Sequence, residues 1–197
     1  MKTNLFIALL LGTATLVSAD PGKYAIGFDG SIDNKGETVT GSSDMSASFV
    51  TLRALVSIPV GEGEIVPFAS VDFVNIKDTS GLSYSTGTDF SQSGFGAGLA
   101  YYHSLAAAGP FNFKAGISGD ALFWGAPKNS SGTYSDNLFE GSLPVIVDVT
   151  VGDWFFRITQ PVVTFGVELY DNGVTKHSWT HFSYLSYSPS VGFFKTF

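Results

Sequence analysis

The stretch FNFKAGISGDALF, residues 111–123, alternates apolar side chains with small or polar ones. Because successive side chains of a β-strand point in opposite directions, a period of two predicts a strand with two different faces. One face carries Phe111, Phe113, Ala115, Ile117, Ala121 and Phe123, and the other carries Asn112, Lys114, Gly116, Ser118 and Asp120. The first face is apolar, whereas the second consists of small residues and isolated charges.

Seven further segments show the same alternation, at residues 24–32, 50–60, 69–73, 94–101, 143–151, 154–169 and 185–197. In the segment 154–169 the apolar phase slips by one residue at Gln160-Pro161, which predicts a β-bulge. Helical periodicity is absent from all eight segments, so we expect an all-β chain.

The connections between the predicted strands alternate strictly between short and long. Long polar connections lie at residues 33–45, 77–89, 125–137 and 170–179, and the short ones follow the second, fourth and sixth strands. All long loops therefore fall at one end of the sheet and all short turns at the other. This pattern predicts one domain, residues 20–197, folded as an eight-stranded antiparallel up-and-down β-barrel.

The composition indicates whether the outside of the barrel faces water or lipid. The 197-residue chain has 14% charged residues and a net charge of −7, whereas an average soluble domain has about 25% charge. Beyond residue 17 there is no apolar run long enough for a membrane helix, which needs about 20 residues. We therefore predict a transmembrane barrel with its apolar face toward lipid, and a soluble secreted β-barrel or sandwich that acts as a binding module stays open as the alternative. The acidic balance argues against a nucleic-acid partner.

Residues 1–19 have the pattern of a secretory signal. Lys2 precedes an apolar stretch that ends at Val17, and Val17-Ser18-Ala19 places small residues before Asp20. Cleavage is expected after Ala19. For a transmembrane barrel this export signal predicts the outer membrane of a Gram-negative bacterium.

Together, the signal, the eight alternating strands, the long loops at one end and the terminal phenylalanine resemble the small outer-membrane β-barrels of the OmpA/OmpX type. Val191, Phe193 and Phe197 share one phase at the C-terminus and resemble the signal that the barrel-assembly machinery reads. The resemblance implies outer-membrane lipid and that machinery as partners, and a structural or surface-interaction function. The four long loops are the candidate sites for an extracellular ligand.

Seven charged residues fall on the face predicted to point inward: Asp29, Arg53, Asp72, Lys114, Asp120, Asp148 and Arg157. An eight-stranded barrel is just wide enough to be filled by its own side chains. Since an unpaired buried charge is costly, we expect these residues to pair into a plug. A porin-like narrow ion path lined by the same residues is the alternative.

One pair of residues has catalytic potential. His181 and Ser183 lie two apart, share the phase of Leu185 and Tyr187, and are therefore predicted to face lipid. They resemble the His-x-Ser arrangement of the outer-membrane lipid A deacylases, in which histidine is the base and serine the nucleophile, so a lipid A-modifying hydrolase is the alternative function. No acidic residue follows Asp171 that could orient the histidine. We predict that the protein is not an enzyme and has neither a cofactor nor a metal site.

Overall fold

The computed structural model describes residues 24–37, 45–78, 90–125, 135–171, 176–185 and 188–197. Within these ranges the chain forms nine antiparallel β-strands. They are β1 (Ala25–Glu37), β2 (Met45–Val60), β3 (Gly63–Asp78), β4 (Phe90–Ala108), β5 (Phe111–Trp124), β6 (Ser135–Val151), β7 (Trp154–Asp171), β8 (Lys176–Tyr184) and β9 (Ser190–Thr196). None of the described residues belongs to a helix that is long and apolar enough to cross a membrane.

The strands close into a barrel. From β1 to β7 each strand pairs with its neighbours in sequence, and β9 pairs with both β1 and β7. β8 pairs with residues 163–171 of β7, whereas β9 pairs with residues 154–159 of the same strand. β8 and β9 therefore occupy a single position in the wall, which we call the eighth stave. The predicted eight-stranded antiparallel barrel is confirmed.

Three two-residue turns join the strands at one end of the barrel, here called the turn end. Each begins with a glycine of positive φ, namely Gly61 (60°), Gly109 (61°) and Gly152 (62°). Glycine at this position suits the type II′ hairpin turn, whose twist matches that of the flanking strands. Both described ends of the chain, Tyr24 and Phe197, meet there through a backbone hydrogen bond of 2.9 Å. The opposite end is called the loop end.

Two of the irregularities in the wall bear on the sequence predictions. Leu143 pairs with Val163 and Pro144 with Pro161, so Val162 is an extra residue in β7. The predicted bulge is thus confirmed, immediately after Gln160-Pro161. The eighth strand, however, is not continuous from residue 185 as predicted, because it is interrupted between β8 and β9, where Leu185 has a φ of 51°.

The strands reach further into the predicted loops than the alternation indicated. Parts of 33–45, 77–89, 125–137 and 170–179 belong to strands, and β8 already begins at Lys176. The central residues of these loops, 38–44, 79–89, 126–134 and 172–175, lie outside the described residues. The predicted signal peptide and its cleavage site at Ala19 lie outside them as well.

The exterior of the barrel is apolar. Phe28 is 68% exposed and Phe182 is 74% exposed, and large apolar side chains are exposed on every strand. Buried polar and charged residues such as Asp29, Asp148 and Arg157 lie inside. This arrangement is the reverse of a soluble barrel and is that of a transmembrane barrel, whose strands alternate apolar outward and polar inward.

Candidate functional site in the barrel interior

Four charged side chains meet inside the barrel near the turn end and form the floor cluster: Glu64, Lys114, Asp148 and Arg157. Lys114 Nζ lies 2.9 Å from Glu64 Oε1 and 2.7 Å from Asp148 Oδ2. Arg157 donates to both carboxylate oxygens of Asp148, at 2.7 and 2.8 Å, and also to Glu64. Glu64 accepts a further hydrogen bond from Ser57. With two cations and two anions the cluster is charge-balanced, which offsets the cost of burying its members.

Aromatic rings complete the surroundings of Arg157. Its Cζ lies 5.2 Å from the ring centroids of Tyr102 and Phe155 and 4.9 Å from that of Phe194. A guanidinium is attracted to ring faces at this distance. The largest side chains with less than 2% exposure are Arg157, Phe194, Ile146 and Val66. The floor is therefore a packed layer in which solvent does not reach the guanidinium.

A second ion pair lies above the floor, at the closing strands. Arg53 Nε donates to Asp29 Oδ1 at 2.7 Å and Arg53 Nη2 to Asp29 Oδ2 at 2.8 Å. The same Nη2 also donates to Ser190 Oγ at 2.9 Å. These contacts link β2, β1 and β9, so side chains as well as backbone hold the closing strands together.

Toward the loop end the interior opens into a cavity of about 280 Å³. Its apolar lining includes Phe68, Leu122, Trp124 and Leu138, its hydroxyl lining includes Thr51, Ser70, Ser118 and Ser142, and its charged lining comprises Arg53, Asp72, Asp120 and Glu140. Gly98, in β4, leaves room for two of the lining residues, because a Cβ there would lie 2.3 Å from the Phe68 ring and 2.6 Å from Asp120 Cβ.

The three carboxylates of the cavity have different surroundings. Asp72 accepts hydrogen bonds from Thr51 Oγ1 at 2.6 Å and from Ser70 Oγ at 2.8 Å. Glu140 Oε2 lies 3.1 Å from His181 Nε2. Asp120 stands directly opposite Glu140 in the register of β5 and β6, and no side chain in the described part of the chain donates a hydrogen bond to it.

The orientation predicted for His181 and Ser183 is wrong. Both side chains point into the barrel, where His181 contacts Glu140 and Ser183 forms a hydrogen bond with the buried Thr164. Phe182 is the outward residue, and the phase of β9 does not continue into β8, because the strand is interrupted between them. The histidine and the serine therefore have different partners, and neither faces lipid.

The structure places all seven predicted charges inside, but in separate groups. Lys114, Asp148 and Arg157 belong to the floor cluster, Asp29 pairs with Arg53, and Asp72 and Asp120 line the cavity.

Sequence reasoning missed Glu64 and Glu140. Glu64 falls in the short connection predicted between residues 60 and 69, but β3 begins at Gly63, and counting back from Asp72 in steps of two reaches Glu64. Glu140 lies in β6 just after the loop predicted at 125–137, where the strand was expected to begin only at Leu143.

At the turn end the C-terminal strand contributes to an outward aromatic belt. Phe193 stacks on Trp154 with 4.6 Å between ring centroids, and Phe197 stacks on Tyr24 at 5.6 Å. Lys195 Nζ lies 5.4 Å from the Trp154 ring and 5.1 Å from the Phe197 ring. Trp154, Val191, Phe193 and Phe197 are exposed on the wall, and aromatic belts of this kind mark the membrane interfaces of outer-membrane barrels.

Aromatic rings also lie close together at the loop end. The rings of Tyr170 and Trp179 lie 6.0 Å apart, and His177 lies 5.7 Å from Trp179. Lys176 Nζ donates to Asp171 at 2.9 Å, and this hydrogen bond and the aspartate's charge raise the pKa of Lys176. Across the described ranges, no three His, Cys, Asp or Glu side chains are arranged so that they could hold a metal ion.

The β domain of the Bordetella autotransporter BrkA is similar over 89% of this chain and 99% of its own, with 9% sequence identity and a TM-score of 0.40. No protein-family model and no curated protein sequence matches the chain.

Proposed function

We propose that this protein is a structural or surface-interaction barrel of the OmpA/OmpX type in the outer membrane of a Gram-negative bacterium. The observation that carries the proposal is the inside-out barrel, with exposed apolar side chains on its wall and a charged, packed interior. A soluble binding module would instead need a polar exterior. The chain would reach the membrane through its signal peptide and the barrel-assembly machinery, which reads Val191, Phe193 and Phe197.

In this proposal the barrel is an anchor and not a conduit. The floor cluster is charge-balanced and enclosed by Tyr102 and Phe194, whereas a water-filled path needs an open, hydrated cross-section. Planar-bilayer recording of the purified protein is therefore expected to give no stable conductance steps.

Catalysis is not part of the proposed function. The base and nucleophile of the hydrolase alternative, His181 and Ser183, are engaged with Glu140 and Thr164 inside the barrel, away from lipid acyl chains. Lipid A profiles are expected to be unchanged between cells that carry the wild type and cells that carry His181→Ala. Loss of a deacylated lipid A species in the variant would support the hydrolase and contradict the proposal.

The interaction function is assigned to the loops at 33–45, 77–89, 125–137 and 170–179. They are rich in Ser, Thr, Gly and Asp, and they connect strands at the end away from the described chain termini. Outer-membrane barrels have long extracellular loops and short periplasmic turns.

Epitope insertion tests this assignment. A tag inserted within 79–89 is expected to be labelled by antibody on intact cells, whereas the same tag at Gly109 is expected to be labelled only after the outer membrane is permeabilised. Gel mobility of unboiled and boiled samples reports whether each tagged barrel is folded. Labelling of the Gly109 tag alone on intact cells, or recovery of the protein in the soluble fraction, would contradict the proposal.

A further inference from the structure

The cavity near the loop end contains a pair of like charges. Asp120 and Glu140 are directly opposite each other on neighbouring strands, a placement that destabilises a sheet. His181 lies against Glu140, and Arg53, the cation that lines the cavity, is already held by both oxygens of Asp29. Among the described side chains, the cavity therefore has more negative than positive charge.

The apolar side of the cavity adds a second kind of contact. Trp124 lies over Gly94, where a Cβ would come within 2.9 Å of the indole, and Leu122 and Leu138 line the cavity beside it. The indole ring and the leucine side chains offer an apolar surface that accommodates alkyl groups. A volume of about 280 Å³ is near the small end of known ligand pockets.

We propose that this cavity binds a small organic cation. Its ammonium group lies between the carboxylates of Asp120 and Glu140, and its short apolar body packs against Trp124 and Leu122. The bound cation offsets the excess negative charge of the cavity lining, and Asp120 gains the hydrogen-bond donor that no described side chain provides. The floor cluster closes the other end, so the ligand enters and leaves from the loop end. This site does not depend on what the outer loops bind.

Titration calorimetry on the refolded protein in non-ionic detergent micelles tests the site. The probes are n-butylammonium chloride and n-butanol, which have nearly the same size but differ in charge, with protein-free micelles as the blank. We expect one n-butylammonium per barrel, with an affinity about tenfold or more above that for n-butanol. Equal binding of the two probes, or no binding of n-butylammonium, would overturn the proposal.

Charge-removing variants locate the binding. Asp120→Asn and Glu140→Gln keep the side-chain shape and are each expected to weaken n-butylammonium binding by about tenfold. Glu62→Gln is the matched control, because it removes one charge from a turn-end side chain that is 87% exposed. An equal loss in all three variants would assign the binding to net charge and overturn the site.

Folding of each variant is checked by the difference in gel mobility between unboiled and boiled samples. If Asp120→Asn does not fold, the comparison of the two probes on the wild-type barrel still decides between binding and no binding.

Discussion

The floor cluster and the loop-end cavity use the same residue types inside the same barrel, yet they are organised in opposite ways. In the floor, Lys114 and Arg157 each contact both Glu64 and Asp148, so every charge has a partner of opposite sign. In the cavity, Asp120 faces another carboxylate and has no donor among the described side chains. Charge balance accompanies dense packing, whereas charge excess accompanies open volume.

This difference separates two roles that one interior can have. In a balanced, solvent-free cluster the opposite charges offset part of the cost of burial, but removal of one member leaves an uncompensated buried charge. An open, unbalanced cavity is destabilising in the empty barrel, and a ligand of the missing sign relieves it. Three substitutions test the comparison.

The largest effect is expected for Arg157→Ala in the floor. The variant leaves Glu64 and Asp148 with only Lys114 as a counter-ion, and it empties the space among Tyr102 and Phe194. We expect the free energy of unfolding to fall by about 3–5 kcal/mol, measured by urea unfolding in lipid vesicles. Arg53→Ala is the control at a partly exposed arginine and is expected to cost less. An equal or larger cost for Arg53→Ala would contradict the distinction between the two regions.

An intermediate effect is expected for Asp72→Asn in the cavity. The carboxylate accepts from both Thr51 and Ser70, and an amide offers only one acceptor oxygen for these two donors. The expected loss is about 1–2 kcal/mol in the free energy of unfolding, from the same urea titration. A gain in stability would show that Asp72 is as poorly compensated as Asp120.

The smallest effect, and one of opposite sign, is expected for Asp120→Asn. This change removes one of two like charges that face each other across β5 and β6. The variant is expected to be more stable by about 0.2–1 kcal/mol in the absence of ligand. Asp72→Asn is the matched control, with the same chemical change in the same cavity. Destabilisation by both variants would remove the basis for an uncompensated charge at Asp120.

Alternation in the sequence predicted which way most side chains point, because in a strand that choice depends on the period of two alone. It therefore placed Lys114, Asp148 and Arg157 inside the barrel. It did not predict that these three meet Glu64, because the face of a residue says nothing about its height relative to residues on other strands. That height depends on the register of every strand pair between them.

The orientation of His181 was missed for a different reason. A period of two predicts the direction of side chains only within one uninterrupted strand, and the eighth strand is interrupted between β8 and β9, where Leu185 has a φ of 51°. The phase counted back from Phe193 and Val191 is therefore valid for β9 only. The acidic partner of His181, Glu140, comes from β6, 41 residues away.

The split eighth stave has a consequence for the order in which the barrel forms. All pairings except those of β9 join strands that are neighbours in sequence and can form as successive hairpins. β9 reaches β7 across a short gap, but its six pairs with β1, from Ala25↔Thr196 to Gly30↔Val191, join the two ends of the described chain. Contacts between residues so far apart in the sequence have the largest entropic cost of loop closure, and they form slowly. Closure of the ring is thus the expected last step of assembly, and Arg53, which bridges Asp29 and Ser190, is the side chain placed to secure it.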